Sequence, residues 1–156
     1  MKAKIFLIAL LLVSFTVFAQ ETKVPKAVTD SFTKLYPKVT DVKWDKEGKT
    51  EFEAGFKENG KDVSVVFDEK GNLIETETAI QINELPKSAA SFVEKNYTGF
   101  KISEAAKIIS AKGEVTFEAE ITKDKVKKDL LFDSKGNIDQ KDMSSENEDE
   151  EDEDKD

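Results

Sequence analysis

FDEKGN at 67–72 returns as FDSKGN at 132–137, with five of six residues identical. In each copy a Phe closes a run of alternating apolar and polar residues. An Asp then opens a tight turn, and a Gly stands where the turn needs left-handed backbone. Working outward, the echo extends over most of the chain. VPKAVTDSFTKLY (24–36) corresponds to LPKSAASFVEKNY (85–97), so Pro25, Lys26, Lys34 and Tyr36 recur as Pro86, Lys87, Lys95 and Tyr97. Beyond that, Gly48 corresponds to Gly113, and Phe52-Glu53-Ala54 to Phe117-Glu118-Ala119. The offset grows from 61 to 65 residues, which places about four extra residues between Tyr97 and Gly113. Two copies are too few for a solenoid, so the pattern predicts one duplicated domain.

Each copy begins with a helix. Pro25 and Pro86 suit the first helical position, where an N–H has no partner to lose. Val28, Phe32 and Leu35 form one apolar stripe; Ala89, Phe92, Val93 and Tyr97 form the other. Pro37 and Gly99 mark the helix ends. Period-two alternation follows. Phe52, Ala54 and Phe56 share a strand face, and Asn59-Gly60 is the strongest short hairpin signal available. That turn sets Phe56 against Val63, Ala54 against Val65 and Phe52 against Phe67. A one-residue slip would expose all of them. The same reasoning sets Phe117 against Phe132 and Ala119 against Leu130.

An earlier strand precedes each hairpin (Thr40–Lys46 around Trp44, and Ile102–Ser110). A short one follows (Leu73–Thr78, and Ile138–Lys141). The fold class expected is α+β: a tandem duplication of a helix packed on a four-stranded antiparallel sheet, helix then four strands, twice. Copy one spans 24–78 and copy two 85–141, within a single domain of residues 20–143. The opposite sheet face carries Glu51, Glu53, Asp62 and Ser64, then Glu118, Glu120, Lys127 and Asp129. It reads as an open polar surface.

The ends are different in kind. Lys2 and Lys4 precede an apolar run from Ile5 to Phe18, and Val17-Phe18-Ala19 offers a cleavage site between Ala19 and Gln20. Residues 1–19 therefore read as a secretory signal peptide. The run is shorter than the roughly 20 residues of a membrane span. No Cys follows for lipid attachment, so the chain is expected in the periplasm or secreted. Residues 144–156, SSENEDEEDEDKD, hold nine acids and one Lys. With no apolar residue to bury, they read as a disordered acidic tail. They account for eight of the chain's nine net negative charges, so the body is nearly balanced.

Composition excludes whole classes of function. The chain has no Cys and no His, and all 24 of its basic residues are Lys. Thiol and imidazole catalysis and tetrahedral zinc binding lose their residue types. Without Arg there is no bidentate clamp for phosphate or carboxylate. A chain at net −9 with no basic patch is not expected to bind nucleic acid. No cofactor, metal or catalytic residue is expected. Glu51, Glu53, Glu114, Glu118 and Glu120 are interleaved with Lys, as in cross-strand charge pairing. Ser103 and Ser110 are too loosely patterned with Lys107 for a Ser–Lys dyad.

VP or LP opening a helix, a Gly turn, the F-E-A strand and the FD-x-x-G turn occur in this order in both copies, with Tyr36-Pro37 at the helix end and Val42-x-Trp44 in the first. In these residues, over about 24–141, the chain resembles the PepSY-like family of exported bacterial proteins, also described as β-lactamase-inhibitor-like. The resemblance implies a helix on a four-stranded antiparallel sheet used in tandem, and a non-enzymatic module that binds or inhibits another exported or envelope protein. The namesake inhibitor places a hairpin turn in an enzyme's cleft. The matching hairpin here is Lys57-Glu58-Asn59-Gly60-Lys61-Asp62. The candidate partner-binding residues are thus Trp44, Glu58, Asn59, Gly60, Lys61 and Asp62. Trp44 has two readings, a ring packed under the helix or an exposed interface anchor. The alternative function is a small-ligand or calcium buffer using the acidic tail and the sheet carboxylates, although the tail lacks the spacing of a calcium loop.

Overall fold

The structure, a computed structural model, describes residues 23–139. The expected signal peptide with Ala19 and Gln20, and the acidic stretch 144–156, lie outside the described residues. In chain order the elements are α1 (Lys26–Leu35), β1 (Lys43–Glu47), β2 (Glu51–Glu58), β3 (Lys61–Asp68) and β4 (Leu73–Ala79). A 3₁₀ turn (Ile82–Glu84) then leads to α2 (Lys87–Asn96), β5 (Lys101–Ser110), β6 (Val115–Lys123) and β7 (Val126–Asp133). The strands hydrogen-bond in chain order in one seven-stranded antiparallel sheet, so the fold is α+β.

The four-stranded sheet expected in each copy is matched by the first copy and left incomplete in the second among the described residues. The second helix is followed by three strands, and the anticipated strand at Ile138–Lys141 is represented by one bridge, Phe132 to Ile138. Gln140 and Lys141 lie outside the described residues. Two compact units are evident: residues 23–78 with 109–113, and residues 79–108 with 114–139.

In the first unit, Val28 and Phe32 of α1 are buried with Phe52, Ala54, Phe56, Val63, Val65 and Phe67. The hairpin pairs Phe56 with Val63, Ala54 with Val65 and Phe52 with Phe67, the register that Asn59-Gly60 dictates. Both turn residues take positive φ, 51° and 80°, as a two-residue hairpin of this twist demands. Leu35 departs from its expected place and is half exposed. It is the last helical residue, and Tyr36, out of helical geometry at φ −125°, takes its place. The Tyr36 ring lies 5.4 Å from Phe32 and 4.8 Å from Phe56.

In the second unit, Ala89 and Val93 of α2 are buried with Leu85, Ala105, Ala119, Ile121, Leu130 and Phe132. Phe117 pairs with Phe132 and Ala119 with Leu130, as the alternation requires. Phe92 stands edge-on to Phe132 at 5.8 Å. The surplus residues of the second copy go into β5, which runs for ten residues where β1 runs for five. Pro25 and Pro86 precede the helices rather than begin them. Their carbonyls accept the first helical bonds, from Val28 and Thr29 and from Ala89 and Ala90.

The repeated hexapeptide is a helix-docking turn. Asp68 Oδ1 accepts the backbone N–H groups of Lys70 and Asn72, each at 2.9 Å, and Oδ2 accepts Asn72 Nδ2 at 2.8 Å. Asp133 does the same with Lys135 and Asn137 at 2.8, 2.9 and 2.9 Å. Gly71 and Gly136 have φ of 81° and 78°. A Cβ on Gly71 would strike the Ala27 carbonyl and Ser31 Oγ; one on Gly136 would strike Ser88 Oγ and Pro86. Ser88 Oγ donates to the Lys135 carbonyl at 2.5 Å, tying this turn to α2.

Candidate functional site

The expected hairpin is well presented. Glu58, Asn59, Gly60, Lys61 and Asp62 are all exposed. Lys57 Nζ bonds Asp62 Oδ1 at 2.7 Å across the strand pair just below the turn, with both side chains mostly in solvent. An exposed pair of this kind contributes little to stability, but it limits the conformations open to the tip. Trp44 is placed apart from the tip. It sits on β1 opposite Ala54, on the helix-bearing face. Its ring meets Phe32 edge-on at 5.3 Å and 72°. It is half-buried against the first core, so only part of its surface is available to another molecule.

The other face of the first unit's sheet is dominated by carboxylates. The ladder sets Glu47 opposite Glu51, and Asp45 opposite Glu53. Glu75 lies opposite Val66, and Glu77 opposite Ser64. Like charges directly across a ladder repel. Burial pushes the Glu47 carboxyl above the ordinary range, and the charge and hydrogen bond of Glu53, then Glu51 and Asp45, push it further. Burial does the same to Glu75, followed by Glu51 and Glu53. Lys43 Nζ offsets part of this through Asp45 at 2.9 Å.

The corresponding face of the second unit is better balanced. Glu120 Oε1 accepts Ser103 Oγ at 2.6 Å, and its carboxylate takes Lys127 Nζ at 3.0 and 3.1 Å. The hydrogen bond that Lys127 donates to Glu120 raises the Lys127 pKa. Sequence reasoning treated these faces as open, and they are only partly so. Glu53 and Glu120 are buried, as are Val66 and Leu131 among the same outward positions. Among the described residues, no group of three or more carboxylates is disposed to hold a metal ion.

A second hairpin end went unremarked in the sequence. Lys123, Lys125, Lys127 and Lys128 cluster around Asp124 and Val126 at the β6–β7 turn. Val126 is 49% exposed. The signal was available as KDKVKK at 123–128, between two alternating runs, but the turn lacks a Gly to draw attention. Asp124 supplies the positive φ instead, at 55°. No helix among the described residues is long and apolar enough to cross a membrane.

Several solved structures share this fold. A Bacteroides eggerthii protein described as "putative periplasmic" superposes with a TM-score of 0.65 at 20% identity, over 74% of this chain and 85% of that one. A DUF2874 family protein from Bacteroides uniformis gives 0.63 at 24%, over 73% and 85%. A BLIP-like protein from Bacteroides fragilis gives 0.57 at 28%, over 73% and 82%. No curated protein matches the chain. A profile of the family described as "Putative beta-lactamase-inhibitor-like, PepSY-like" matches residues 15–75 and again 52–140. With more than half of its length matched, the chain belongs to this PepSY-like, β-lactamase-inhibitor-like family.

Proposed function

We propose that the chain is an exported, non-enzymatic module that binds another exported or envelope protein through the Lys57–Asp62 hairpin, with inhibition of that partner as its action. The observation that carries this reading is the hairpin itself: five exposed residues on a turn held at positive φ and braced by the Lys57–Asp62 pair. A preorganised tip loses little conformational entropy on insertion. The BLIP-like description of the Bacteroides fragilis relative supports protein binding, and the absence of Cys and His removes a thiol nucleophile and an imidazole base. Export is supported by the signal pattern at 1–19 and by the "putative periplasmic" description of a relative of the same fold. Trp44 takes part only through its exposed rim.

The test is binding and inhibition against a panel of purified exported serine β-lactamases and peptidases, with immobilised chain capturing partners from envelope extract in parallel. A true partner is expected to lose at least about tenfold in affinity with Lys61→Ala/Asp62→Ala, a range usual for interface anchors. A partner held equally well by that variant, with unchanged circular dichroism, would remove the hairpin from the interface. Turnover of any panel substrate by the chain alone would overturn the non-enzymatic reading.

A further inference from the structure

Strand β1 is the first of the sheet and has a single neighbour in it, β2. The direction of its backbone groups follows from the next hairpin. The two-residue Asn59-Gly60 turn makes Glu58 and Lys61 a hydrogen-bonded pair, and such pairs alternate along antiparallel strands. Ala54 and Phe56 thus turn their N–H and C=O groups toward β3, and Glu51, Glu53 and Gly55 turn theirs toward β1. The partners of those three, Glu47, Asp45 and Lys43, bond inward in return. The N–H and C=O groups of Trp44 and Lys46 are left pointing away from the sheet.

Edges that must stay unpaired are commonly guarded by Pro, a bulge or a projecting Lys. No Pro stands in Lys43–Glu47, and its register with β2 is unbroken. Both of its lysines are engaged: Lys43 Nζ holds Asp45 at 2.9 Å, and Lys46 Nζ lies 6.0 Å from the Phe52 ring centre. The edge also has two unlike sides. On the helix-bearing side, Val42 and Trp44 are half-buried against the first core and keep apolar surface at its margin. On the other side, Asp45 faces Glu53 and Glu47 faces Glu51 across the ladder, and like charges so placed repel. An added strand would send alternate side chains to these two sides. Apolar residues would lie beside Val42 and Trp44, and cations beside Asp45 and Glu47.

We propose that the outer edge of β1 is a strand-addition site for an extended segment of a partner protein in which apolar residues alternate with Lys or Arg. Main-chain bonds to Trp44 and Lys46 give the attachment, and the two sides of the edge select the side chains. The site is separate from the Lys57–Asp62 tip and does not depend on what that hairpin enters.

The experiment titrates a short end-capped peptide of alternating Val and Lys into the isotope-labelled full chain. The Trp44 and Lys46 amides are expected to shift and to gain protection from exchange, while Asn59 and Gly60 stay in place. A peptide with Glu in place of Lys should bind at least about tenfold more weakly. Asp45→Lys/Glu47→Lys should reverse that preference. The main chain is tested by N-methylation of the peptide. Alternate amides of an added strand face β1, so methylating one alternate set should abolish binding and methylating the other should spare it. Lys46→Pro removes an N–H that the sheet does not use. It is expected to keep the parent circular dichroism and to weaken binding about tenfold; should that variant unfold, the methylated peptides decide. No shift at β1, equal loss with both methylated sets, or a charge preference that survives the reversal overturns the proposal. Shifts confined to the Asn59-Gly60 turn place the peptide on the hairpin and overturn it equally.

Discussion

Gly71 and Gly136 show how a single residue can carry a fold. Each combines a left-handed φ with a contact in which the turn touches the helix N-terminus. Substituting Ala adds a backbone penalty of about 1–3 kcal/mol from φ alone. At Gly71 the new methyl also meets a backbone carbonyl, which cannot swing aside. Gly71→Ala and Gly136→Ala are therefore expected to lower the urea midpoint by more than Gly60→Ala, whose Cβ would meet nothing within 4 Å. Equal losses at all three would mean that the turns do not bear on the helices. Asp68 and Asp133 brace the same turns. At Asp68 burial raises the pKa, but the Asn72 side chain and backbone and the Lys70 N–H outweigh it and hold it below the ordinary 3.8. At Asp133 the Asn137 side chain is the leading cause of the same lowering.

At the scale of elements, the β1–β2–β3–β4 ladder joins a dense apolar face to an acid-crowded one. On the apolar face, Phe52→Ala or Phe67→Ala is expected to cost about 3–5 kcal/mol in chemical denaturation, the usual range for a buried Phe. A loss under about 1 kcal/mol for both would contradict the register. On the acid-crowded face, the raised pKa values of Glu47 and Glu75 have a definite sign. A carboxyl whose folded pKa exceeds its unfolded one binds protons more tightly when folded. Its penalty is therefore full at neutral pH, and is relieved as pH falls through the raised value to the ordinary 4.5. Asp68 and Asp133 act oppositely: their contribution is present above 3.8 and is lost as pH falls below it through their folded values. Stability followed by Trp44 fluorescence should climb from pH 7 toward about 4.5 and then decline below 3.8. Glu47→Gln/Glu75→Gln should flatten the climb and spare the decline. A monotonic fall from pH 7 in the parent chain would refute this assignment.

For the whole molecule, charge is the property that separates body from tail. Net charge of appreciable size keeps proteins apart in solution. Because residues 144–156 hold eight of nine net negative charges, their deletion leaves a nearly neutral chain. Static light scattering at neutral pH and low salt is expected to show repulsion in the full chain and attraction in the shortened one. Unchanged scattering would mean that the segment does not govern colloidal behaviour.

Much of this fold was legible because it is written locally. Asn59-Gly60 and the alternation of Phe52, Ala54 and Phe56 set the first hairpin's register without help from distant residues. The second hairpin followed from the repeat, and so did both helices. Other features depended on residues far apart in the chain. Leu35 has the spacing of a core residue, but whether a helix end overlies a sheet depends on where the sheet stops. Glu53 and Glu120 look like surface residues in an alternating strand, yet their burial depends on what flanks them. The fourth strand of the second copy is not shown: the described residues hold a single bridge at Ile138, where pairing rests on an edge rather than on local pattern.

By itself the sequence determined the fold class, the hairpin registers, the family and the residue types available for chemistry, because periodicity, turn residues and composition act over a few positions. Only the tertiary structure decided that the FD-x-K-G-N turns are helix-docking elements, that the strands are ordered in one sheet, and that carboxylates from separate strands crowd one face. Those outcomes arise from side chains brought together by strand pairing, and no local pattern encodes which strand a carboxylate will meet.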